Sequence, residues 1–211
     1  MLGLNARGLV HHDQGDFTRA IAVLEESLDL CRSRDFPALI APTSAILGYA
    51  YALDGRAAEG VPLLERSLQD TVPLVMVCFE ALWSVWLGKS LLLANRLDEA
   101  AAAGRRALDL AVQRRERPQE AYAERLLGEM ASHAEPEDLG VAEQHYNRAA
   151  SLAEALGMRP LLAHCHFGLA ELYQNASKQP ESSAHLATAA TIYRDLDMRY
   201  WLERATAVSG S

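Results

Sequence analysis

Small and apolar residues return along this chain with a period of forty. Gly8, Gly48, Gly88 and Gly128 are each 40 residues apart, and Ala170 follows 42 after Gly128. Counted from each origin, small, apolar or turn-forming residues recur 7, 12, 16 and 19 positions later. The first unit supplies Gly15, Ala20, Leu24 and Ser27, and the second Gly55, Gly60, Leu64 and Ser67. The third supplies Asn95, Ala100, Gly104 and Ala107, and the fifth Ser177, Ser182, Leu186 and Ala189. The fourth fits if two residues are inserted in its turn, around His133 to Asp138. That insertion brings Ala142, Tyr146 and Ala149 into phase and accounts for the 42-residue step. A fixed period of this size marks stacked structural repeats.

Spacings of 3, 4 and 7 within each half of a unit are those of one helix face. Gly15, Gly55, Asn95 and Ser177 between the halves suit a helix end or tight turn. Each unit therefore reads as two helices. Small residues at the origin and twelve later let two backbones approach, where larger side chains would wedge them apart. Pro37, Pro73, Pro118 and Pro160 fall between units, where a helix starts but does not continue. The predicted helix pairs are 2–13 with 16–33, 38–54 with 56–70, 73–94 with 97–114, 118–133 with 138–156, and 160–175 with 179–195. They make repeats of 1–36, 37–71, 72–116, 117–158 and 159–196 in one continuous domain, 1–211. A last helix, 198–208, carries Tyr200 and Trp201 and is expected to cap the open end of the stack within segment 197–211. The final residues, Val208 to Ser211, are expected to fray.

Composition adds limits. Hydrophobic residues make up 50% of the 211 and charged residues 23%, which places the chain among folded globular proteins. The net charge of -8 gives a surface that repels phosphate, which argues against nucleic-acid and anionic-membrane partners. Cys31, Cys78 and Cys165 all sit in apolar helical patterns and read as buried, reduced thiols of a cytoplasmic protein. The stretch from Thr71 to Ala94 is the most apolar, but Glu80 and Lys89 interrupt it, so it reads as a buried helix and not a membrane span. The first residues lack the basic and apolar segments of a signal peptide.

The repeat resembles that of the tetratricopeptide family, which places Leu-Gly, then Tyr, then Ala followed four later by an aromatic residue. Leu47-Gly48 with Tyr51 and Leu169-Ala170 with Tyr173 match the first part, as do Leu87-Gly88 and Leu127-Gly128 in their first two residues. Ala142 with Tyr146 matches the second part, and Asp16-Phe17 with Ala20 is similar to the family's turn and second helix. Two departures stand out. Leu4, Ser44, Ser84, Glu124 and His166 occupy the family's tryptophan position, and the period is 40 rather than the usual 34. The resemblance implies an all-α, right-handed superhelical solenoid of about five antiparallel helix pairs plus the cap. Leu156 to His166 and Asp197 to Leu202 are similar to the tetratricopeptide tails of large bacterial signalling proteins. Those carry a cyclase-like or ATPase module ahead of the repeats, and this chain has no phosphate-loop motif of that kind.

In such stacks the first helices of all units line a concave groove. Advancing 100° per residue from Gly88 puts Ser84, Leu87 and Leu91 toward the partner helix and Leu82, Trp86, Lys89 and Leu93 on the opposite face. A face turned to water should be polar, and this one is not. Equivalent positions are Leu2, Ala6, Leu9 and Asp13, then Pro42, Ile46, Tyr49 and Leu53. The fourth unit gives Tyr122, Leu126, Glu129 and His133, and the fifth His164, Gly168, Glu171 and Asn175. The face thus grades from apolar to polar. It is expected to hold a protein or peptide, or another domain of a parent protein, with Trp86 and Tyr49 as anchors and Lys89 and Arg125 meeting an acidic group. Two other readings stand beside it. Trp86 and Leu82 are packed by neighbouring helices, or the face joins two copies of the chain as a homodimer. The lysine–asparagine pair that grips a C-terminal carboxylate in some family members is absent, since Asn5 and Leu9 stand there.

No enzyme chemistry is expected. His164 and His166 lie two apart on a helix and point about 200° from each other, so they do not share an ion, and adjacent His11 and His12 fail likewise. No serine, histidine and carboxylate set has local spacing, and nothing calls for a cofactor or metal.

Overall fold

The computed structural model describes residues 1–70, 79–133 and 139–209, and these contain helices and no strand. The helices are α1 (Leu2–Gln14), α2 (Phe17–Ser33), α3 (Pro37–Leu53), α4 (Ala57–Gln69), α5 (Glu80–Leu93), α6 (Leu97–Arg114), α7 (Arg117–Ser132), α8 (Leu139–Ala155), α9 (Arg159–Asn175), α10 (Gln179–Asp195) and α11 (Arg199–Ser209). Their limits follow the predicted ones to about one residue. Predicted helix residues 73–78, with Pro73 and Cys78, lie outside the described residues, as does most of the two-residue insertion. The fold is the all-α, helix-pair architecture the repeat implies.

The chain divides into two compact units, Met1–Arg106 and Ala107–Ser211. Within the first, each helix from α1 to α5 packs on the next, and α1, α3 and α5 also adjoin in order. Within the second, α7 to α11 pack in succession, and α7 adjoins α9.

Helix ends explain the regularity. Gly15, Asp35, Gly55, Asn95, Arg115, Gly157, Ser177 and Asp197 all have positive φ. At each, the following residue's N–H donates to the carbonyl five residues back, as in Asp16 to His11, Phe36 to Cys31 and Glu116 to Ala111. This closure satisfies the last carbonyls of a helix and reverses the chain. Within each described run (15, 35 and 55; 95 and 115; 157, 177 and 197) the spacing is 20 residues, half the sequence period, so turns between repeats are built like turns within them. The turns within repeats were legible as Gly15, Gly55, Asn95 and Ser177. Asp35, Arg115 and Asp197 were not, because their side chains do not advertise a left-handed backbone. Aspartate tolerates that conformation through its short polar side chain; Arg115, at φ 58, has no such relief. Arg115→Gly is expected to raise stability by about 0.5–1 kcal/mol, the left-handed penalty less glycine's extra unfolded-state entropy. Urea denaturation checks this, and a destabilised variant would refute it.

Helix starts are simpler. Pro37, Pro118 and Pro160 stand in the first turns of α3, α7 and α9, as expected, and Pro180 does so in α10. Asp16 caps α2 by accepting the Arg19 N–H at 3.1 Å.

The recurring small residues mark helix crossings. Leu24, fully buried on α2, lies over Gly8 of α1. Gly48 and Gly60 bring the α3 and α4 backbones together. In the second unit Gly128 faces the Tyr146 ring. The first core gathers Ala20, Leu24, Leu28, Ile46, Leu47 and Ala50, continuing through Ala45, Tyr49, Leu64 and Trp83. In the second unit Phe167, Leu186, Ile192, Tyr193 and Met198 form a core on which Trp201 and Leu202 of α11 close.

Candidate partner-binding face

Helices α1, α3 and α5 form one row of the first unit, and they bring most of the expected groove residues together. Ile46 and Tyr49 are buried, at 8% and 9% exposure, and belong to the core. Leu9, Leu53, Leu82, Trp86 and Lys89 are half-buried, and Leu93 is exposed. Trp86 lies flat against Tyr49, with centroids 5.3 Å apart and planes 8° from parallel. Tyr49 also meets the His12 ring, tilted, at 5.0 Å. His12, Tyr49 and Trp86 are therefore an aromatic row across three helices, each residue 37 after the last. That step is three short of the period, one helical ridge back per repeat, and a search at the 40-residue spacing alone misses His12. Packing claims Ile46 and Tyr49, and half-buried Trp86 packs against both cores of the first unit.

Arg125 and Glu129 belong to the second unit. They pair on α7 at 3.5 Å, each side chain 18% exposed. Arg125 also acts on the Cys165 thiol and the Tyr193 phenol, so its charge is engaged within this unit. His164 bonds to the Tyr193 hydroxyl at 2.7 Å and meets Trp201 edge-on at 4.6 Å. Gly168, expected on the open face, is instead buried: a Cβ there would meet the Tyr146 ring at 2.5 Å. The aromatic residue of the neighbouring repeat fills that space, which a single-helix projection does not reveal.

At the tetratricopeptide tryptophan position the fourth and fifth repeats carry hydrogen-bonded polar pairs. Glu124 is buried and accepts a 2.5 Å hydrogen bond from His145 Nδ1, with Arg148 at 3.8 Å. A cavity of about 400 Å³ lies beside it, lined by Glu120, Glu124, Asn147, Arg148, Ser151 and Leu152. His166 Nδ1 faces His185 Nδ1 at 2.8 Å. In the first unit, Asn5 is buried between Thr43 (2.9 Å) and Ser27 (2.8 Å), turned inward from any groove.

The thiols follow the sequence reading where they are described. Cys31 and Cys165 are buried and unbridged, and burial pushes the Cys165 thiol up to about 12. His164 and His166 engage different partners, and among the described residues no three histidine, cysteine or acidic side chains gather to hold a metal ion. Among the same residues no helix is long and apolar enough to cross a membrane.

Residues 3–34, the α1–α2 pair, match the family model described as a tetratricopeptide repeat. Among curated proteins none matches the chain by sequence. Several solved structures are similar. The Rap conjugation gene regulator of plasmid pLS20, solved in complex with the Phr* peptide, aligns at TM-score 0.81 and 18% identity over 94% of this chain and 55% of its own. The apo form of RapI aligns at TM-score 0.69 and 12% identity over 99% of this chain and 76% of its own. BtubC from P. vanneervenii gives 0.64 and 16% over 92% and 84%. The chain thus spans about half the length of the plasmid regulator. Identities this low establish the fold alone. The repeated helix pairs, their common closure and these likenesses together give the chain a tetratricopeptide-like helical repeat fold.

Proposed function

We propose that this chain is a binding scaffold that docks a peptide or partner protein on the α1–α3–α5 face of its first unit. The observation that carries the reading is Trp86, half-buried and held flat by Tyr49. A rigid aromatic backed by a second ring loses little entropy on docking, and such residues dominate binding surfaces. Leu9, Leu53, Leu82 and exposed Leu93 extend the apolar area, and Lys89 lies one turn from Trp86. The peptide-bound state of the plasmid regulator, a structure of the same fold, supports the reading. The resemblance of Leu156 to His166 and Asp197 to Leu202 supports a regulatory role within a larger, cytoplasmic bacterial signalling protein. The reading assigns the chain no catalytic step.

Peptides selected from a displayed random library against the whole chain supply the probe. Trp86→Ala is expected to weaken them at least tenfold, the order seen for a moderate hot spot. Trp86→Phe should retain part of the affinity, and a thermal melt verifies that both variants fold. Selected peptides that bind both variants as tightly as the original would end the proposal. So would light scattering that finds a dimer with Trp86 shielded at its interface, which would assign the face to self-association.

A further inference from the structure

The Glu124–His145 and His166–His185 pairs occupy equivalent places in consecutive repeats. Glu124 and His166 each stand four residues before the repeat origin, on the first helix. His145 and His185 stand on the second helix, at the same place once the two-residue insertion is counted. One architectural position therefore holds an acid with an imidazole in the fourth repeat and two imidazoles in the fifth.

Two neutral imidazoles 2.8 Å apart at Nδ1 share one hydrogen: one ring donates its Nδ1–H and the other accepts with its lone pair. A first added proton goes to the free Nε2 of the donating ring and leaves an N–H⁺···N bond intact. A second has only the accepting Nδ1 to bind. It would set two N–H groups against each other with two positive charges, and the contact must open.

We propose that His166 and His185 form a one-proton lock between α9 and α10, and that acidification opens it and loosens the fifth repeat with the α11 helix packed on it. The surroundings are consistent with this. Both rings are partly buried, and His185 also stacks on Tyr173 at 5.5 Å. The charges acting on the pair come from α8: Glu154 acts on His166 and Glu143 on His185. Glu143 also accepts from the Tyr173 hydroxyl. Lys178, at the start of α10, lies 5.5 Å over the Tyr173 ring, and Glu181 of α10 acts on Tyr173 as well. Arg125 of α7 and Arg204 of α11 act on Tyr193 instead. Burial is the largest influence on both imidazoles, and the second for His166 is His185 itself, so both are held below the ordinary histidine value. With the folded values depressed, the unfolded chain binds more protons below about pH 6.5. The pair's contribution is therefore full above that pH and is lost as pH falls through the folded values.

The fourth repeat supplies the decisive variant, His166→Glu. It gives His185 a carboxylate partner in place of a second imidazole, so acid no longer sets two positive charges against each other there. The measurement is the change in Tm between pH 7.5 and pH 5.5 for the full chain, original against variant, since the remaining groups are common to both. The variant is expected to retain at least about 2–4 °C more of its Tm at the acidic end. His185→Gln, whose amide donates to His166 Nδ1 but does not titrate, covers a failure of the first variant to fold. It should lose about half of the original's acid sensitivity. Amide exchange in α10 and α11 should rise at least tenfold on acidification in the original chain. Equal pH responses of the original and whichever variant folds, or unchanged α10–α11 protection at pH 5.5, would overturn the lock.

Discussion

Tyr146→Ala is expected to cost the second unit about 3–5 kcal/mol, the range for deleting a buried aromatic side chain. The residue is 3% exposed, and its ring lies between two helices that have no side chain opposite it. Gly128 of α7 would place a Cβ 3.0 Å from its Cγ, and Gly168 of α9 one 2.5 Å from its Cε1 and Cζ. Removing the ring therefore leaves a void that neither neighbour fills, and a packed interior closes such voids only in part. The phenol makes a side-chain hydrogen bond with Ser132, and burial, with Glu129 next, pushes its ionisation well above the ordinary tyrosine range. Tyr146→Phe removes only the hydroxyl and should cost about 1 kcal/mol. Urea denaturation followed by circular dichroism separates the two variants. A loss below about 1.5 kcal/mol for the alanine variant would mean that α7 and α9 collapse into the space.

Gly60→Ala is expected to destabilise the first unit by about 2 kcal/mol or more. Alanine is the better helix former by up to about 1 kcal/mol, so propensity alone forecasts the opposite sign. The geometry decides against it. A Cβ on Gly60 would run into the Gly48 carbonyl oxygen and lie 3.2 Å from the Ala52 nitrogen, and one on Gly48 would stand 2.7 Å from the Gly60 carbonyl oxygen. Both obstacles are backbone, which has no rotamer to turn away, so α3 and α4 must separate along their length. Overpacking of this kind costs about 1–3 kcal/mol and occasionally more. Gly140 on α8 is the matched control, since nothing lies within 4 Å of a Cβ there. Gly140→Ala should be neutral or slightly stabilising. If Gly60→Ala melted no lower than Gly140→Ala, the backbone approach at this crossing would be refuted.

The repeat was legible because close helix crossings tolerate few residue types. Gly8, Gly48 and Gly128 recur because each faces a bulky side chain or another backbone, and a physical constraint repeated in space becomes a period in sequence. Helix limits followed from the same pattern, aided by prolines that begin helices and glycines that close them. The candidate face was legible in part. Projecting α5 alone found Leu82, Trp86, Lys89 and Leu93, but no projection of one helix shows what a neighbour covers. Tyr49 and Ile46 lie on the same side of α3 as an open face would, yet packing buries them. Gly168 looked open because the residue that covers it, Tyr146, comes from the preceding repeat.

The sequence by itself determined the helix-pair repeat, its turns at the glycines and the absence of local catalytic or metal-binding spacing. Those features depend on neighbours within about one helical turn or on a strict period, and both are written along the chain. Only the tertiary structure decided which side chains meet across repeats: the His12–Tyr49–Trp86 row, the ring of Tyr146 against two glycines, and the two imidazoles of His166 and His185. Each joins residues on different helices, and the stagger of one helix on the next sets their contact. That stagger is fixed by close packing of all the side chains at once, which no single stretch of sequence contains.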